Sequence, residues 1–100
     1  MDSLKQTVRE VVAGYARKGL NSQGYLTQGE DGTLFTVVVV SQIKDKHFSD
    51  TSLIVRIVGE HIIIERDQND KPLVEALLQA GIPRKQIILA YAGEPVPESA

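Results

Sequence analysis

Cysteine is absent from all 100 residues, so neither disulfides nor thiolate-held metals can brace the fold. Tryptophan is missing too, methionine occurs once, and aromatics reach only 5%. The core must therefore be built from Val, Ile and Leu. No apolar run approaches the ~20 residues of a membrane span, and the N-terminus lacks a signal-peptide segment; the cytoplasm is the expected location. A basic excess is also lacking. Eleven Lys and Arg stand against thirteen Asp and Glu, a formal charge of −2. A protein that holds DNA phosphates unaided normally carries a basic stripe or balance, so the charge argues against direct DNA binding.

What remains is an ordinary globular composition, 42% hydrophobic, with no linker, repeat or low-complexity tract. A chain of this length makes one domain, 1–100, with a modest core. Small domains without covalent or metal staples commonly gain burial by oligomerising.

Leu4, Val8, Val11, Val12 and Tyr15 fall on one face of a first helix. Asp2 or Ser3 is placed to cap it. It is expected to reach about Arg17, with Gly14 inside it and Gly19 as its stop. Ser22 to Glu30 reads as a weak strand around Tyr25, Leu26 and Thr27. Asp31-Gly32 signals a two-residue hairpin into a strand from Leu34 to Ile43. Lys44 to Asp50 reads as a polar connection. Leu53 to Val58 and His61 to Arg66 are two further strands, joined by a tight turn at Gly59-Glu60. In the loop 67–70, Asp70 is expected to cap a second helix, with Pro72 in its first turn. Leu73, Val74, Leu77 and Leu78 form that helix's apolar stripe, and Gly81 and Pro83 end it. Ile87 to Leu89 is a short final strand, and 92–100 an extended or mobile tail. The fold class is α+β: helix, four-stranded antiparallel meander, helix, short strand.

The middle strands are apolar on both faces. Val37 and Val39 oppose Val38 and Val40, Leu53, Val55 and Ile57 oppose Ile54 and Val58, and Ile62 and Ile64 oppose Ile63. A sheet with one buried face would alternate apolar and polar residues. Two helices packed on one side would leave the other side bare, and a bare apolar patch marks an interaction surface. A homodimer joined across that face is the expected remedy. Helices split between the two faces would instead give a thin monomer.

No catalytic, cofactor-binding or metal-binding residue is expected from the sequence. Asp45, His47 and Asp50 share a polar stretch with metal-ligand chemistry, but loops are rich in such residues without any ion. Glu65, Asp67 and Asp70 form an acidic cluster; counted from Asp67, Pro72 falls where a calcium loop needs glycine. Capping and turn roles suit the cluster better. Ser41, Ser49, Thr51 and Ser52 accompany His47 and His61 without a nucleophile-elbow pattern, and no glycine-rich phosphate cradle is present. Lys5 and Arg9, with Arg17 and Lys18 beyond, put positive charge on one side of the first helix. Glu10 dilutes it, and a solvated face is the commoner reason for such a pattern. A non-enzymatic binding protein without a cofactor is the resulting expectation.

The stretch Val55-Arg56-Ile57-Val58-Gly59-Glu60-His61-Ile62-Ile63-Ile64-Glu65 resembles the hairpin of the XisI-like family, the fdxN element excision controlling factors of cyanobacteria. The likeness continues through Leu73, Val74 and Leu77, the Ala80-Gly81-Ile82-Pro83 helix end, and Ile87-Ile88-Leu89-Ala90-Tyr91. It is looser over the first helix. It implies the α+β fold above and control of DNA-element excision during heterocyst differentiation. It also implies a site-specific recombinase and a XisH-like protein as partners. The ending Gly93-Glu94-Pro95-Val96-Pro97 looks shorter than the family's apolar C-terminal segment, so contacts made through such a segment are not expected here.

Overall fold

A computed structural model describes residues 3–97; the proposed cap Asp2 lies outside them. Helix α1 spans Ser3–Ala13 and buries Val8 and Val12. It ends four residues before Arg17, because the chain tightens at Gly14. The N–H groups of Gly14, Tyr15 and Ala16 bond to the carbonyls three residues back, at 3.2, 2.9 and 3.1 Å, a 3₁₀ turn that closes the helix. Gly14 therefore lies past the helix rather than within it.

Five strands form one sheet in sequence order: β1 Ser22–Gln28, β2 Leu34–Ile43, β3 Lys46–Val58, β4 His61–Asp67 and β5 Ile87–Leu89. The first four are antiparallel neighbours. The short fifth strand, to which the sequence assigned no direction, makes the sheet mixed rather than purely antiparallel, since Ile87–Leu89 pairs in parallel with Ile62–Ile64. Parallel neighbours need a crossover, and helix α2, Leu73–Gln79, supplies it.

The β1–β2 turn is longer than the expected two residues. Gly29 N–H bonds to the Leu34 carbonyl at 2.8 Å, and Gly32 N–H to the Gly29 carbonyl at 3.0 Å. Gly32 has a φ of 77°, so Glu30 to Thr33 make a four-residue loop around a β-turn. At Gly59-Glu60 the two-residue turn is as read, between Val58 and His61. Its positive φ of 61° falls on Gly59, the position where a II′ turn takes glycine.

The largest difference lies at Lys44 to Asp50. Residues from Lys46 onward are strand, and Ile43 pairs with Lys46 across a two-residue turn at Lys44-Asp45. No buried stripe announced this strand, because Lys46–Asp50 are all exposed.

Both helices pack on one side of the sheet. Val8 and Val12 of α1 and Leu73 and Leu77 of α2 share a single cluster with Phe35, Val37, Leu53, Val55, Ile57, Ile62, Ile64 and Ile87. Leu78, expected in the stripe of α2, is exposed. The α2 N-terminus is held from upstream. Pro72 is the N-cap residue and makes no side-chain cap bond; Asp67 Oδ2 accepts from the Leu73 N–H at 2.6 Å. Asp67 thus takes the role expected of Asp70. Gly81, at φ 95°, closes the helix in the left-handed conformation foreseen for it. Beyond β5, Ala90–Ala92 forms one 3₁₀ turn, and Glu94 ties the chain back. Its carboxylate accepts from Leu89 N–H at 2.9 Å and pairs with Arg84 at 3.0 Å.

Candidate functional site

Both helices lie on one side, and among the described residues no α-helix covers the opposite side of the sheet, where Ile63 alone is fully buried. Strand alternation assigns Tyr25 and Thr27 of β1, Leu34, Thr36, Val38 and Val40 of β2, and Ile54, Arg56 and Val58 of β3 to that open face. The paired registers agree: Tyr25 lies opposite Val38, Thr27 opposite Thr36, Leu34 opposite Arg56. Tyr25 is 53% exposed, Val40 40% and Leu34 38%. Val38, Ile54 and Val58 are half-buried. Scattered exposed apolar residues need no explanation, but a contiguous set on one sheet face does.

Polar groups on this face satisfy one another. The Thr27 and Thr36 hydroxyls are hydrogen-bonded across β1 and β2. Arg56 Nε donates to Glu65 Oε2 at 2.7 Å. Glu65 occupies the extra position of a β-bulge, since Ile54 pairs with Arg66 while Val55 pairs with Ile64. Ile63 is fully buried yet lies outside the helix-side cluster. Its register partners Arg56 and Ile88 place it on the open side. A second bulge, at Ser52 opposite Val37 and Val38, adds local twist.

The residues singled out from sequence are mostly dispersed. Asp45 sits in the β2–β3 turn. His47 is opposite Gln42 and Asp50 opposite Val39, so His47 and Asp50 point to different sides of the sheet. Asp50 lies 3.6 Å from Arg66. Among the described residues, no group of three or more His, Asp or Glu side chains is placed to hold a metal ion. Glu65 pairs with Arg56, Asp67 caps α2, and Asp70 is exposed beside the cleft between the helix ends. Ser52 Oγ points to the Val37 carbonyl at 3.5 Å. Ser41, Ser49 and Thr51 lie along β2 and β3 near His47, and His61 stands at the other end of the sheet, opposite Val58.

The basic residues do not form one helix face. Lys5 Nζ donates to the Asp31 carbonyl at 3.3 Å and Arg9 Nε to Gln28 Oε1 at 3.3 Å, binding α1 to the β1–β2 end. Arg17 and Lys18 lie beyond the helix. In the cleft between α1 and α2, Tyr15 donates its hydroxyl to the Lys71 carbonyl at 3.0 Å. Burial, then the charges of Asp67 and Glu75, raise its pKa above 10.0, so the phenol stays protonated as a structural donor. No helix among the described residues is long and apolar enough to cross a membrane.

Comparison with known proteins turns this geometry toward a family. The family model described as "XisI protein" matches residues 1–98. Two solved structures share the fold. One is a XisI-like protein from Anabaena variabilis, 17% identical, with 87% of this chain and 83% of that one covered at a TM-score of 0.75. The other, from the same organism, is the fdxN element excision controlling factor XisI. It is 22% identical, with 87% and 88% covered at a TM-score of 0.66. No curated protein matches the sequence.

Proposed function

This chain belongs to the XisI family, and we propose that it is a non-enzymatic regulator that controls excision of a DNA element by binding other proteins. It works as a homodimer joined across the open sheet face, and it engages a XisH-like protein that acts with a site-specific recombinase during heterocyst differentiation. The excision role is supported by family membership and by the name of the solved Anabaena variabilis relative.

The observation that carries the binding mechanism is the placement of both helices on one side, which leaves Tyr25, Leu34, Val38, Val40, Ile54 and Val58 without a helix above them. The bare part of this side spans β1 to β3, three strands at about 4.8 Å spacing with seven paired residues at about 3.3 Å rise, roughly 14 by 23 Å. A standard interface of about 800 Å² per partner would therefore use the surrounding rim as well as this patch.

Co-expression with a XisH-like protein, followed by size-exclusion chromatography, tests the reading. A complex that survives the column is expected, and Tyr25→Asp/Val40→Asp abolishes the homodimer while circular dichroism stays native. Two folded proteins that never co-elute would overturn the partner assignment.

A further inference from the structure

Two depressions lie at opposite ends of the β1–β2 pair, and they differ in charge. At the end where β2 turns into β3, a basin of about 610 Å³ is lined by Lys18, Lys44 and His47 together with uncharged residues such as Gln23 and Gln42, and by no carboxylate. At the end where β1 turns into β2, a cleft of about 440 Å³ is lined by Glu30, Asp31, Leu34 and Arg56. Arg56 is already engaged by Glu65 at 2.7 Å. The Asp31 carboxyl is held below its ordinary value by the Thr33 hydroxyl and N–H, with a smaller contribution from Lys5, so it is ionised at neutral pH. Each depression shares one apolar residue with the open face, Val40 in the first and Leu34 in the second. The second also reaches Ile57 on the helix side, where the Lys5 ammonium donates to the Asp31 carbonyl, which leaves Glu30, among the described residues, as its unpartnered acid.

A second copy can meet this face by a two-fold axis lying between the sheets in one of two simple orientations. An axis parallel to the strands sets basic end on basic end and acidic on acidic. An axis perpendicular to the strands sets Lys18 and Lys44 of each copy over Glu30 and Asp31 of the other, and symmetry makes the contact twice. Juxtaposed like charges are costly, and complementary ones fix register.

We propose that the dimer adopts the perpendicular axis, with the strands of the facing sheets running in opposite senses and the basic end of each protomer covering the acidic end of its partner. Aligned sheets pack ~10 Å apart at roughly 30°, a gap that lysine side chains at the rim can bridge. This orientation rests on the homodimer proposed above.

The chain's lack of cysteine makes the test direct. Lys44→Cys and Glu30→Cys proteins are prepared separately, mixed, allowed to exchange and treated with a bis-maleimide of about 10 Å span, matched to the sheet spacing, because a direct disulfide needs a closer approach. The mixture is expected to yield a cross-linked pair, and each variant alone to stay unlinked. Lys18→Glu/Lys44→Glu should weaken the dimer at least ten-fold at low salt, with the loss shrinking as salt screens it. Adding Glu30→Lys/Asp31→Asn to the same chain should restore it. Self-linking of Lys44→Cys, or a wild-type dimer indifferent to the charge reversals, would overturn the orientation while leaving the dimer intact. A monomeric wild type would overturn both.

Discussion

Asp67 Oδ2 accepts the Leu73 backbone N–H at 2.6 Å, so the first turn of α2 is held by a side chain from the end of β4, six residues upstream. The other oxygen of Asp67 accepts the Asn69 N–H at 3.1 Å and side-chain amide at 2.8 Å. One carboxylate thereby fixes strand, loop and helix together. Asp67→Ala is expected to cost about 1–2 kcal/mol, the upper part of the range for a lost cap. Asp70→Ala should stay within about 0.5 kcal/mol, as an exposed residue does. Urea unfolding of both variants at one protein concentration checks the pair.

Close approach, rather than turn geometry, makes Gly24 necessary. A Cβ there would stand 3.0 Å from Arg17 N and 3.1 Å from Ala16 Cα, both backbone atoms that cannot rotate away. Gly24 N–H also bonds to the Arg17 carbonyl at 2.8 Å, holding the segment after α1 against β1. Gly24→Ala is expected to cost about 1–3 kcal/mol through overpacking, whereas an Ala at exposed Gly14, 3.3 Å from the Val11 carbonyl, should cost less. Thermal unfolding compared between the two variants separates them.

The Arg56–Glu65 pair has side chains 40% and 34% exposed, which limits its worth. Removing it as Arg56→Met/Glu65→Gln should change the stability of the folded chain by less than about 1 kcal/mol. A double-mutant cycle read at low and high salt provides the coupling energy, which should shrink with salt.

The Glu94 carboxyl sits below its usual value of 4.5, first because Leu89 N–H bonds to it and next because Arg84 does. Its folded-state pKa is depressed, so its contribution to stability is complete above the unfolded value and is lost as pH falls through the folded one. Glu94→Gln is therefore expected to be less stable than the wild type near neutrality, with the difference closing as pH falls below about 4.5, so that the acid decline is flatter in the variant. Chemical denaturation across that acid range measures the slope.

Apolar patterning made most of the architecture readable. Strands with at least one buried stripe, such as Leu34–Ile43 and His61–Asp67, were plain because β-branched runs leave few alternatives. The first half of β3 was not, since Lys46–Asp50 pairs only with β2 at this end of the sheet and buries nothing. Nor was the parallel seating of β5, because a three-residue strand carries no directional signal. The surplus of apolar faces was legible residue by residue. Which face stays bare depends on both helices choosing the same side, a tertiary outcome that no local pattern encodes. The opposed charge of the two sheet ends was hidden for the same reason. Lys18 and Lys44 are far apart in sequence and become neighbours only when the β2–β3 hairpin brings Lys44 beside the turn that follows α1.

Sedimentation equilibrium of the wild-type chain over a wide concentration range, run beside Tyr25→Asp/Val40→Asp, tests the central claim most directly. The account predicts twice the 11.0 kDa chain mass for the wild type and a folded species of single chain mass for the variant. A wild-type chain that stays at 11.0 kDa at the highest concentration would contradict it.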